Sequence, residues 1–527
     1  MACALAARRV LTVPVLAELR RTGGRRARVA RTVAVDAVVV AAAAAGVWEL
    51  HSGQSGSLAL LVPGLLALAV GVPAARAVPR LAALEVRRTR RSPQIGAFLA
   101  APNVARRPTG ARSVVLLTAA VALAVFAVDG WAAARTTRSH QAAQQVGAAT
   151  VLHTAYLPPA QLLATVRAVD PGGRAAMAAV QSTVGANGAL LAVDAARLPA
   201  VTAWDPAWAA TSATRLTAGL VPRALPPLAL HGPSVALRVG YTVVPHQRPV
   251  AWTLGLRVLD AAGTVSDVDL GPVPVGVARL TGTLPATCDR SVCALLSITL
   301  HRPLASQVLA SGEFFEVLAF SDARGPVAAV PSTGAGVAGT DRWLVAPDAL
   351  NDTDPERPLD ADLLPASTPA WFRAELSDSA VLDVTFTTAA FPRATPVLLG
   401  STVTANEYGG LDGAVYAAGL GDSPMIARPL PGRGVLPRVG TDGALADLGL
   451  LAPQVPDPTA TVDDQVWLAP GAPSDLRARL AARGLVVVST ETLAARTAEL
   501  DRDATALALR LFLVAAVAGW RWWRARC

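Results

Sequence analysis

The chain has 527 residues, of which 52% are hydrophobic and 16% charged; its mean hydropathy is +0.42 and its formal net charge +9. Such a length exceeds one ordinary domain. Every basic residue apart from histidine is arginine, and the absence of lysine excludes a P-loop nucleotidase and a Schiff-base enzyme, both of which need the lysine amine.

Mapping the charge removes a nucleic-acid reading. Residues 1–131 and 501–527 together hold 22 Arg against seven acidic residues, whereas 132–500 hold 25 Arg against 31. The positive charge thus accompanies the apolar runs, which is a topology pattern rather than a DNA-binding face.

In chain order, residues 1–131 read as a membrane region. The Arg-rich "RRTGGRRARVAR" (20–31) precedes an apolar run at 32–50, and the Arg-free "HSGQSG" separates it from a second run at 57–78. A further Arg-rich segment (80–112) leads to a third span at about 113–130, whose apolar part is Ser113–Val128; a fourth run ends the chain within 501–527. About 17–25 residues are needed to cross the hydrocarbon core. Positive-inside counting puts both termini in the cytoplasm and residues 132–500 outside, giving a multi-pass protein of the bacterial cell membrane. Trp48, Trp131, Trp520, Trp522 and Trp523 read as interfacial anchors. Asp36 and Arg510, inside spans, lie near enough to the surfaces to reach water.

The outer block divides by texture. Residues 132–224 read as α/β: the stalk "RTTRSHQAAQQVG", the strand "ATVLHTAYL", and the helix "PPAQLLATVRAVDP" between proline signals. Residues 225–387 show short alternating runs such as "VAWTLGLRVLD" and "AVLDVTFTT", separated by turns, and read as a β-sandwich or jelly roll. Residues 388–500 return to α/β. The fold class expected is therefore a polytopic α-helical membrane protein with about four transmembrane helices, whose extracytoplasmic α/β ectodomain carries an inserted β-sandwich.

Few residues suggest chemistry. Cys288 and Cys293, in "LPATCDRSVCALLS", are spaced for a disulfide in an oxidising exterior; a zinc site would want further Cys or His ligands nearby. "GDSP" (421–424) resembles the nucleophile block of GDS-type lipases, but Ser423 has no histidine after it to take its proton, since the last is His301. His51, His140, His153, His231, His246 and His301 show no metal-ligand spacing. The acidic stretches at 351–362 and 462–464 read as solvated loops, the first with calcium binding as the alternative. No catalytic residue, cofactor or metal is expected.

Several stretches resemble the FtsX-like (MacB/LolE-type) ABC transporter permeases in their long actinobacterial form. They are "FLAAPNVARRPTGARSVVLLTAAVALAVFA" (98–127), "VLPRVGTDGALADLGLL" (435–451) and "GLVVVSTETLAARTAELDRDATALALRLFLVAA" (484–516). "LPATCDRSVCALLSITL" (284–300) resembles the galactose-binding-like insert of some members. The resemblance implies a permease subunit that couples hydrolysis by a separate cytoplasmic ATPase to movement of the outer domain. It implies as partners that ATPase, a second permease copy or subunit, the lipid bilayer, and an envelope glycan or lipid ligand, with no nucleic acid. The family has three helices after its outer domain where this chain has one, so a truncated or split permease is expected. The alternative is a membrane-anchored, non-transporting envelope glycan-binding protein.

Overall fold

The computed structural model describes residues 37–38, 40–45, 48, 66, 69–70, 109–184, 188–202, 204–205, 208, 212–221, 227–303, 312–327, 343–345, 361–364, 371–376, 383–388, 390–391, 394–403, 415–422, 424–455, 462–502, 514, 517 and 521. The chain forms two compact units: residues 1–137 with 501–527, and residues 138–500.

The expected polytopic helical membrane fold is corrected. Among the described residues strand outweighs helix, 42% against 30%, in three sheets. No helix of these residues is long and apolar enough to cross a membrane, so a multi-pass placement with membrane-anchoring tryptophans is not supported. The one expected span largely within the described chain lies in helix α1 (Thr109–Val146). Its apolar part, Ser113–Val128, would cover only about 24 Å at 1.5 Å per residue, short of a ~30 Å core. The helix then continues through Asp129, Arg135 and Arg138 into a polar glutamine-rich end. The runs at 32–50, 57–78 and 504–520 lie outside the described residues except for helical residues 37–38, 40–45, 48, 66, 69–70, 514 and 517.

In the second unit, α1 stops at Gly147. Its positive φ (+83°) is left-handed, and a Cβ there would sit 2.5 Å from the Trp467 ring. Only glycine meets both demands. Then follow β1 (Thr150–Thr154), α2 (Pro159–Val169), β2 (Ala176–Val184), β3 (Gly188–Val193), α3 (Leu198–Val201) and α4 (Ala213–Leu220).

The next stretch supplies β4 (Leu228–Leu230), β5 (Ser234–Thr242), β6 (Thr253–Leu259), β7 (Val265–Pro272), β8 (Gly276–Thr283), α5 (Thr287–Arg290), β9 (Cys293–His301) and β10 (Glu313–Asp322). It continues with β11 (Gly325–Pro326), β12 (Trp343–Val345), β13 (Ala361–Leu364), β14 (Phe372–Leu376) and β15 (Asp383–Thr388). The remainder is β16 (Thr395–Gly400), β17 (Val415–Ala418), β18 (Pro424–Gly434), β19 (Gly443–Asp447), α6 (Leu448–Leu451), β20 (Val462–Leu468), α7 (Leu476–Ala482), β21 (Val487–Thr492) and α8 (Leu493–Leu500).

Strands from both ends of the unit interleave in one nine-stranded mixed sheet, ordered β17-β18-β16-β19-β3-β2-β20-β1-β21. The pairs β16/β18 and β3/β19 are parallel. Helices cover both faces. Leu152, Val180, Leu190 and Val466 pack with α2, α6 and α7, while Val151, Met177, Leu191 and Trp467 pack on the other side with the end of α1, α3 and α4. Burial on both faces explains why β3 and the first half of β2, residues 176–180, are apolar without alternation.

Strands β4–β15 form a separate antiparallel sandwich between α4 and β16. One sheet runs β13-β14-β10-β5-β8 and the other β12-β15-β9-β6-β7, and both feed one core. Here one face of each strand is buried and the other wet, so β6 and β14 alternate strictly. Aromatic rings fill the centre, with Phe372 and Phe386 at 4.7 Å and Trp343 and Phe372 at 4.8 Å between centroids. Cys288 and Cys293, both buried in this core, are disulfide-bonded with their Cα atoms 5.2 Å apart. The β6–β7 turn joins sandwich to platform. Asp260 Oδ1 accepts from the amides of Ala262 and Thr264, and Gly263 (φ +84°) lies against the backbone of Ala160 at the start of α2.

Candidate functional site

Where the chain enters the nine-stranded sheet on β1 and leaves it on β21, those strands pair antiparallel, with Val151 opposite Glu491 and His153 opposite Ser489. Residues of equal parity therefore share a face, and β20 adds Asp463, Gln465 and Trp467 on that same face. Apolar packing at Trp467 gives way to polar groups toward the rim. The buried Trp467 indole donates to Gln465 Oε1 at 2.8 Å, and Gln465 Nε2 donates to Asp463 Oδ2 at 2.6 Å. Asp463 Oδ1 lies 2.9 Å from His153 Nδ1, and the buried Nε2 of His153 faces Glu491 Oε1 at 3.5 Å.

Arg438 closes the cluster. It reaches in from the turn after β18, donates to Glu491 Oε2 at 2.8 Å and gives its own amide to the Gln144 carbonyl at 2.7 Å. Its φ of +62° is left-handed, a conformation that costs a non-glycine residue about 1 kcal/mol or more. Strain of this kind persists where surrounding contacts over-determine it. Burial would raise the Glu491 carboxyl, but the hydrogen bond and charge of Arg438, helped by His153, outweigh it and hold the group below the usual range.

Beside this cluster is a cavity of about 360 Å³ lined by Gln145, Arg438, Thr490, Glu491, Thr492 and Arg496, among others. Arg496 of α8 donates to Gln145 of α1 at 2.7 Å and to Glu499 at 2.6 Å, and the Leu493 amide donates to the Ala149 carbonyl. The entering and leaving helices are thus bolted to each other and to the sheet.

A second charged cluster sits at the carboxyl ends of the parallel strands β3 and β19. Arg167 grips the buried Asp194 with two bonds, at 2.9 and 3.0 Å, and Arg197 adds a third contact at 3.1 Å. Asp447, one strand over, accepts from the Ala195 amide. Burial raises its carboxyl to about 6; neighbouring Asp194 adds to this, while the Ala195 amide opposes it. Asp464 is likewise pushed to about 6 by burial, although it accepts from the Leu157 amide.

The residues singled out in the sequence scatter. His140 pairs with Asp205, His231 with Asp322 and His301 with Asp383, each within its own module, while His246 occupies a left-handed turn position. Among the described residues no histidine nitrogen is bonded to a hydroxyl or thiol, and no group of three or more His, Cys, Asp or Glu could hold a metal ion. Asp463 and Asp464, expected in a solvated loop, lie instead on β20, the first at the His153 cluster and the second buried. Ser423, His51, Asp36, Arg510, Trp520, Trp522, Trp523 and residues 351–360 lie outside the described residues. Trp48 is 77% exposed, and Trp131 carries the Arg135 guanidinium over its ring at 5.7 Å. Arg438, Glu491 and Arg496 carry no motif, and nothing in their local sequence marks them.

No family model, curated protein or solved structure matches the chain.

Proposed function

We propose that the chain is the non-catalytic, force-transmitting component of an ABC-type transport assembly, working with a separate ATPase. The observation that carries this reading is the coupling of the two chain exits. β1 and β21 are hydrogen-bonded neighbours, and Arg496 ties α8 to Gln145 of α1 at 2.7 Å. Displacement of either helix is therefore passed to the same edge of one nine-stranded sheet and, through the Gly263 contact, toward the sandwich. Rigid packed elements transmit such displacement because they do not deform continuously. The resemblance of 435–451 and 484–516 to FtsX-like proteins supports the same reading, since these stretches contain Arg438, Glu491 and Arg496. The lack of lysine, which denies the chain a phosphate-binding loop, supports a reading in which ATP turnover belongs to a partner.

The test is affinity purification of the full chain from its native cells, identification of any co-purifying ATPase, and assay of the complex's ATP turnover. A stable complex is expected, in which Arg496→Ala and Arg438→Ala lower the chain-dependent component of turnover by about fivefold while the complex persists. Failure to form a complex, together with turnover indifferent to the chain, would overturn the proposal.

A further inference from the structure

Four arginines lie on the sandwich's described strands: Arg238, Arg257, Arg279 and Arg373. Two are neutralised by their own face. Arg257 binds Asp267 with two bonds, at 2.8 and 3.1 Å, and Arg373 lies 3.1 Å from Glu316 and over the Phe314 ring. The other two have no carboxylate or hydrogen-bond partner among the described residues, and they are direct cross-strand partners, Arg238 on β5 against Arg279 on β8.

Antiparallel partners project to the same side, with Cβ atoms about 5 Å apart. The flanking Leu237–Leu280 and Val239–Ala278 pairs alternate with them, and Leu237, Val239 and Leu280 belong to the core. Both guanidiniums are therefore on the outer face, and both residues are exposed. Like charges placed directly opposite are destabilising, so the pair is a local cost that the fold itself does not offset.

The surroundings leave room beside this charge. Arg238 is opposite Ala319 on β10, and the next row across the same face is Thr281, Ala236 and Ser321. Ser321 donates to the Ala236 carbonyl, while the Thr281 hydroxyl has no partner among the described residues. The floor is thus made of small side chains, walled by two guanidinium forks. On the far side the Leu318 side chain and Glu316, the latter engaged by Arg373, lie over Gly240 and limit the site.

We infer that Arg238 and Arg279, with the Thr281 hydroxyl, bind a phosphate monoester. The choice of anion follows from charge. A phosphate monoester near neutral pH carries about −1.5 to −2 and three strong acceptor oxygens, which matches two guanidiniums; a carboxylate carries one charge and leaves one arginine unmatched. This inference is independent of any ATPase partner.

Calorimetric titration of the full chain in chloride buffer tests it, with glucose 6-phosphate, inorganic phosphate, glucuronate and glucose as probes. Glucose 6-phosphate and inorganic phosphate are expected to bind, glucuronate more weakly, and glucose least. Arg238→Gln and Arg279→Gln are each expected to weaken glucose 6-phosphate binding by about tenfold or more, the size of one lost charge-assisted contact. Arg279→Lys, which keeps charge but not the fork, should fall between. Thermal unfolding without ligand is a second readout, because removing one of two opposed cations should raise the melting temperature of either Gln variant. Equal binding of glucuronate and the phosphosugar, undiminished binding by both Gln variants, or no phosphosugar binding would overturn the inference.

Discussion

The Tyr241 hydroxyl donates a 2.7 Å hydrogen bond to Glu313, a carboxylate 1% exposed to solvent in the centre of the sandwich. The Trp252 indole donates to the same oxygen at 3.2 Å, and the Val250 amide approaches the other at 3.4 Å. Burial, with the hydrogen bond and charge of Glu313 behind it, pushes the Tyr241 phenol far up, so it remains a donor at every ordinary pH. The network fastens the start of β10 to β5 and to the segment before β6. Tyr241→Phe removes the shortest of these bonds while keeping the ring. Equilibrium urea unfolding is expected to show a loss of about 1–3 kcal/mol, the cost of leaving a buried charged acceptor short of a donor. A change within ±0.5 kcal/mol would show that Trp252 and Val250 suffice.

Gly263 joins the two modules and tolerates no side chain. An added Cβ would lie 2.2 Å from the Ala160 carbonyl oxygen, and its φ is +84°. The neighbour is backbone, which cannot swing aside. Gly263→Ala should therefore destabilise by roughly 2 kcal/mol or more, combining overpacking with a strained φ. Hydrogen exchange should show the loss concentrated at α2 and the β6–β7 turn. Wild-type protection at both places would show that the contact does not hold the modules together.

Asp447 makes stability depend on pH in a known direction. Its folded value, about 6, lies above its ordinary 3.8 because of burial, so the folded state binds the proton more tightly than the unfolded state. Its ionisation therefore costs stability as pH rises from about 4 to about 6, and the cost is complete above that. The difference between about 6 and 3.8 corresponds to ~3 kcal/mol. Asp447→Asn keeps an acceptor for the Ala195 amide without the charge. At pH 7.5 it should be more stable than the parent by about 1–3 kcal/mol, and at pH 4 nearly equal to it. Some slope between pH 4 and 6 should survive, since Asp464 is raised to about 6 as well. An equal loss at both pH values would mean that the ionised carboxylate is what Arg167 and Ala195 require.

Much of the local structure was legible in the sequence, for physical reasons. Strands such as Thr253–Leu259 and Phe372–Leu376 alternate because one face is buried and the other wet, and α2 is delimited by prolines around an apolar helical period. Cysteines five residues apart could meet without help from distant chain. Among the described residues, reading the apolar run of α1 as a span failed because composition alone does not set the length of an apolar helix. In α1, a largely apolar stretch of sixteen residues is followed by charged and amide ones, and the chain goes on to build sheets.

The candidate sites were not legible. His153 meets Asp463 across 310 residues, Arg438 meets Glu491 across 53, and Arg238 meets Arg279 only through the β5–β8 register. By itself the sequence determined periodicity, capping, the close cysteine pair and the partition of charge, because each depends on neighbours along the chain. The tertiary structure alone decided which charges are paired, buried or left bare. A shift of one residue in strand register would turn each of these side chains to the opposite face, and register is set by packing between segments far apart in the chain.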